Sequence, residues 1–187
     1  MQRANVDFDA PWQFVDSSAS IATQGFVFTP ISGSILITDY YNLTYNGSNV
    51  LFPQNNTPLT TQPEIGGTFS LLSLDLGGSH HDAPNRWASA VAITGYDAAN
   101  NVVASTSVDL PADLNDFLRV QLSDFTNLAR VTFVPSMNLT DHQENNYEFT
   151  LDNIHVTLVP EPQSCAILLA SLGFVGFFGH RKKTATS

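Results

Sequence analysis

Up to Val159 the chain alternates between short apolar runs and polar, turn-forming connections, and helical periodicity is almost absent. The runs Gly25–Thr29, Ser34–Thr38, Thr68–Leu76, Ala88–Tyr96, Val102–Leu110, Phe117–Leu122, Ala129–Val134 and Tyr147–Leu158 are short and largely apolar, most of them with several β-branched or aromatic residues. Each is bounded by Gly, Pro, Asn or Asp, and each predicts a strand. Asp97–Asn101 reads as a hairpin loop, because Asp and Asn close tight turns through their own side chains. The polar, Asn-rich stretches 41–49 and 53–62 read as long loops. Eight or nine spaced strands with no helix between them predict an all-β fold, an antiparallel β-sandwich of the jelly-roll type.

The last run has a change of phase. Tyr147, Phe149 and Leu151 share one face of a strand, whereas Ile154, Val156 and Leu158 occupy the other. One extra residue at Asp152-Asn153, a β-bulge, would turn both sets toward the core. A strand buried on both faces is the alternative.

Composition narrows the class. The chain has 187 residues, 43% of them hydrophobic and 13% charged, with thirteen Phe. That is enough apolar material for one folded domain, and it excludes a disordered chain. Up to Val159 four arginines stand against sixteen acids, a net charge of −12 with no lysine. Beyond it Arg181, Lys182 and Lys183 stand against Glu161, a net +2. Nucleic acid is excluded as a partner, since phosphate contacts need clustered Lys and Arg. The one cysteine, Cys165, allows no disulfide within the chain and no CxxC site; it reads as membrane-compatible filler, with lipidation the alternative.

Residues 165–179, CAILLASLGFVGFFG, are apolar or small throughout, and as a helix they would span about 22 Å. A bilayer core is about 30 Å thick, so this is a short transmembrane helix, extended by snorkelling of Arg181. Pro160-Glu161-Pro162 precedes it and keeps helix and strand from running through. These three parts in this order resemble the PEP-CTERM sorting signal: Pro160, Glu161 and Pro162, then the apolar helix, then Arg181, Lys182 and Lys183. The resemblance implies recognition by an exosortase, a membrane-embedded processing enzyme, with the domain released or attached outside the cell. The expected division is an extracellular β-sandwich over 1–159 and the sorting signal over 160–187. A plain C-terminal membrane anchor is the alternative. Proteins of that family are exported by an N-terminal signal peptide; residues 1–7 carry no apolar stretch, so a further segment is expected ahead of them.

The body carries a second resemblance. Phe149–Val156, taken with Asn5–Asp9 and Trp12, is similar to the ends of jelly-roll carbohydrate-binding modules. Those modules hold a structural calcium between first and last strands, which implies Asp152 as a ligand with Asp7 or Asp9 as another. Otherwise Asp152 caps the bulge and the N-terminal acids are solvated.

Catalytic motifs are missing: the sequence holds no G-x-S-x-G, P-loop or H-E-x-x-H. His80-His81-Asp82 could bind a transition metal, but adjacent residues of an extended chain point apart, and a solvated loop is the plainer reading. Carboxylate pairs such as Asp113 with Asp116 are expected by chance in so acidic a chain. Tyr40, Tyr41 and Trp87 are candidate ligand-binding residues, with Tyr45 and Trp12 beside them, because aromatic faces stack on sugar rings while Asn and Asp satisfy hydroxyls. The reading is an exported, non-catalytic cell-surface or matrix protein that binds exopolysaccharide, with the membrane as a partner before processing. A secreted sandwich hydrolase and a self-associating adhesin are the alternatives.

Overall fold

The alternation read from the sequence becomes two packed sheets. A computed structural model describes residues 2–9, 11–16, 19–39, 44, 47–78, 87–110, 116–137 and 147–159. Thirteen strands run in order: β1 (Gln2–Val6), β2 (Gln13–Asp16), β3 (Ile21–Thr23), β4 (Phe26–Pro30), β5 (Ser34–Thr38), β6 (Val50–Gln54), β7 (Leu59–Pro63), β8 (Thr68–Gly78), β9 (Ala90–Tyr96), β10 (Val102–Asp109), β11 (Leu118–Gln121), β12 (Arg130–Ser136) and β13 (Phe149–Val159). The first sheet is ordered β11-β8-β13-β6-β5-β2, with β1 also on β13; the second is β10-β9-β12-β7-β4-β3. Every pairing of named strands is antiparallel. All eight runs expected to be strands are strands. The helix expected over 165–179 lies outside the described residues, and among those residues no helix is long and apolar enough to cross a membrane.

The core lies between the sheets. Phe26, Phe28, Leu59, Ile93, Val131 and Phe133 from the second sheet meet Ile35, Ile37, Leu51, Leu74, Leu76 and Leu151 from the first. Phe8 and Phe69 complete edge-to-face pairs with Phe28 and Phe26, ring centroids 5.2 Å apart in both. Such pairs add about 0.5–1.5 kcal/mol beyond burial. At Gly95 the segment ahead of β12 comes close: a Cβ there would lie 2.7 Å from Leu128 Cδ2.

The stretch 53–62, expected as a loop, is instead the end of β6, a tight turn and most of β7. Its prolines argue against strand, yet Pro53 and Pro63 both hold register positions, opposite Ile35 and Phe26. Asn55 and Asn56 make the turn, at φ of 54° and 58°, a left-handed conformation that Asn tolerates better than most residues. The start of the last strand clamps this turn from 91 and 93 residues away. Tyr147 N donates to Asn56 Oδ1, and Asn55 N donates to Glu148 Oε1 at 3.0 Å.

The change of phase in β13 is a bulge. Asp152 pairs with Asp75 and His155 with Ser73, so one extra residue sits between them, and Asn153 takes φ of 47°. Phe149 and Leu151 before it and Ile154 and Val156 after it are all at most 3% exposed. A compensating irregularity follows at once, where Val156 pairs with Leu71.

Candidate functional site

Three places on the sandwich bear on function: the bulge on the outer side of the first sheet, the aromatic residues at that sheet's far edge, and the end of β13.

At the bulge, Arg119, Asp75 and Asp152 stand opposite one another across β11, β8 and β13. Their chain neighbours Leu74, Leu76 and Leu151 fill the core, so these three face outward. They are nevertheless covered: Asp75 is 6% exposed and Asp152 fully buried. Arg119 grips Asp75 with both arms, Nε on Oδ1 and Nη2 on Oδ2, the latter at 2.9 Å. Asn153 Nδ2 links the two carboxylates, 3.0 Å from Asp75 Oδ2 and 3.3 Å from Asp152 Oδ2. Asp152 also accepts from Asn153 N at 2.8 Å and Ser48 Oγ at 3.1 Å. The hydrogen bond to Asp75 raises the Arg119 pKa above its ordinary value; attraction to Asp75 and Asp152 adds to it, and burial opposes it.

Asp152, the expected calcium ligand, has its carboxylate hydrogen-bonded by Asn153 and Ser48 in this structure. Asp7 accepts from Gln24 Nε2 at 2.5 Å while its own N–H bonds Gln24 Oε1, and Asp9 is exposed. The first and last strands do pair, Asn5 opposite His155. Among the described residues no three His, Cys, Asp or Glu gather where a metal ion could sit.

Trp87, expected as a sugar platform, is 6% exposed. It bridges to Glu148 and lies over Gly78, where a Cβ would come within 3.2 Å of the indole. Tyr40, Tyr41, Tyr45 and His80-His81-Asp82 lie outside the described residues. Trp12 is 65% exposed, and Phe14, two residues on, is 52% exposed. Phe14 faces Leu36, which faces Phe52, so an apolar strip crosses the first sheet's outer side and ends in open aromatic rings. The burial of Phe52 and Val50 with Leu36 and Phe117 makes this strip a second, small core. Sequence reasoning held Trp12 as a candidate and missed Phe14; the alternation Trp12-Gln13-Phe14-Val15, which sets both rings on one side, was the available signal.

A groove of about 330 Å³ opens at the other edge, between β10 and residues 121–125. Asp124 is the one carboxylate among its lining residues.

No curated protein matches this chain by sequence. Among solved structures, a DUF4465 family protein from Bacteroides caccae is 18% identical, over 84% of this chain and 86% of that one, with a TM-score of 0.50. A mutant of a family 29 carbohydrate-binding module is 14% identical over 77% of this chain and 89% of its own, with a TM-score of 0.41. An arabinose-bound α-L-arabinofuranosidase is 12% identical over 69% of this chain and only 22% of its own, with a TM-score of 0.46. The first likeness supports the two-sheet fold, and the other two decide nothing further. Residues 158–182 match the family described as the PEP-CTERM protein-sorting motif, which indicates a secreted, envelope-directed protein. The match begins inside β13, at Leu158, so the C-terminal segment of this chain is a PEP-CTERM protein-sorting motif that starts where the sandwich ends.

Proposed function

We propose that this chain is a cell-surface or matrix protein, processed by an exosortase at its sorting motif, whose sandwich binds extracellular polysaccharide without catalysis. The observation that carries the reading is the junction at Leu158, where sorting motif and last strand share two residues. The thirteen strands of the described residues lie between Gln2 and Val159, and their core runs from Val6 to Val156. Cleavage near Pro160-Glu161-Pro162 would therefore leave the core of the described residues intact. Trp12 and Phe14 supply open aromatic surface of the kind sugar rings stack on.

Two features favour binding over hydrolysis. The most buried carboxylate pair, Asp75 and Asp152, is tied up by Arg119, Asn153 and Ser48, leaving no free acid or base there. The groove beside β10 offers one carboxylate. The test of delivery is mass spectrometry of the protein recovered outside an exosortase-bearing cell. A C-terminus at 160–162 is expected; a surface protein still ending at Ser187 would refute processing.

A further inference from the structure

The outer face of the second sheet carries a line of hydroxyls across five of its strands. Ser105, Thr94, Thr132, Thr60 and Thr29 are successive register partners through β10, β9, β12, β7 and β4. Ser20, just ahead of β3, continues the line through a 2.7 Å hydroxyl contact with Thr29. Thr94 and Ser105 make a similar contact at 3.2 Å. Thr94, Thr132, Thr60 and Thr29 each adjoin a core residue (Ile93, Phe133, Leu59 and Phe28), so their side chains point away from the core; Thr132 is covered by its neighbours at 7% exposed, and the accessible members of the row are Ser105, Thr94, Thr60, Thr29 and Ser20. At the usual strand spacing of about 4.8 Å, six positions make a row about 24 Å long.

The charge of this face is as telling as its hydroxyls. The body carries sixteen acids and four arginines. Among the strand residues of this sheet the charged ones are Arg130 and, at the end of β10, Asp109, with Glu64 just beyond β7 at its margin. Arg130 is already occupied, stacked 3.8 Å from the Tyr96 ring centre and bonded to Asn100. A neutral face on an acidic body matches an uncharged partner. A second copy of the chain would bring two strongly acidic bodies together, which self-repulsion opposes.

We propose that this row is a contact surface for an uncharged polysaccharide lying across the strands; the proposal rests on the glycan-binding reading above and adds a second face to it. Each hydroxyl both donates and accepts, as a sugar hydroxyl does, so the two kinds of group satisfy one another in either sense. The Thr side chains are β-branched and held in few rotamers, so little freedom is lost when a chain settles on them. Val134, 42% exposed beside the row, offers an apolar surface to the CH faces of the sugars.

The experiment is affinity electrophoresis of residues 1–159 through gels containing hydroxyethyl cellulose, galactomannan or dextran, with alginate as the anionic comparison. The variants are Thr60→Val with Thr94→Val, which keep shape and strand preference, Thr61→Val as an inward-facing control on the same strand as Thr60, and Trp12→Ala. Thermal unfolding checks that each folds. The expected result is retardation by at least one uncharged polysaccharide, weakened roughly tenfold or more in the double variant and unchanged in Thr61→Val. Wild-type affinity in the double variant would overturn the row. If Trp12→Ala then lost binding, the glycan reading would survive on the first sheet alone. Retardation by alginate only, abolished by salt, would overturn the uncharged partner. A dimer forming without polysaccharide and broken by the double variant would overturn the row in favour of self-association. No retardation in any gel would overturn both this inference and the reading beneath it.

Discussion

Removing the Arg119 side chain tests how the first sheet tolerates two carboxylates side by side. In Arg119→Ala, Asp75 keeps Asn153 Nδ2 at 3.0 Å but loses both guanidinium bonds, while Asp152 remains its direct neighbour across the strands. Stripping one partner from a fully buried ion pair costs about 3–5 kcal/mol. An exposed pair is worth about 0–1 kcal/mol. This pair lies between, with side-chain exposures of 47% for Arg119 and 9% for Asp75. Water reaches the guanidinium, so the higher range must be discounted, to about 2 kcal/mol. With a urea slope of about 2 kcal/mol per M for a domain this size, the midpoint should fall by about 1 M. The double variant Arg119→Ala with Asp75→Leu should recover much of that loss, because no buried carboxylate is left unmatched. A loss under about 0.5 kcal/mol in the single variant, or no recovery in the double, would refute the network as a source of stability.

Other substitutions test other parts of the account. Thr61 Oγ1 is buried with no hydrogen-bond partner; Thr61→Val should therefore stabilise the sandwich by about 1 kcal/mol in urea unfolding. Trp87→Ala should cost about 3–5 kcal/mol of stability, since the indole is buried against Gly78, whereas Trp12→Ala should leave stability within about 0.5 kcal/mol and weaken glycan binding. Asp97 is held below its usual carboxylate range, first by the Asn101 side chain, then by the backbone N–H groups of Asn101 and Ala99. A lowered folded pKa gives stability that is present above the unfolded value and lost as pH falls through the folded one. The cost of Asp97→Asn should accordingly be seen at pH 7 and fade as pH drops below about 4.

Much of the sandwich is written in local pattern. The runs that became β5, β9 and β10 carry β-branched residues between turn signals, and the two hydrophobic phases of 147–158 showed the bulge because an inserted residue lets both reach one core. What could not be read was set by pairing at long range. Pro53, Pro58 and Pro63 argue locally against strand, yet β6 and β7 are fixed by partners in β5, β13, β4 and β12 and by the Glu148 and Tyr147 clamp. Trp87 looked like a platform because its burial against Gly78 is decided by contacts the sequence does not display. Asp152 was legible as a bulge carboxylate, but its neighbours Asp75 and Arg119 come from 77 and 33 residues away, and register alone brings them together. The hydroxyl row needed the register of five strands at once.

The most direct test of the central claim is co-sedimentation of residues 1–159 with the exopolysaccharide of the cell that makes the protein, in calcium and in chelator. The account predicts co-sedimentation in both, because Asp152 is satisfied by Asn153 and Ser48. Protein left in the supernatant under both conditions would contradict it.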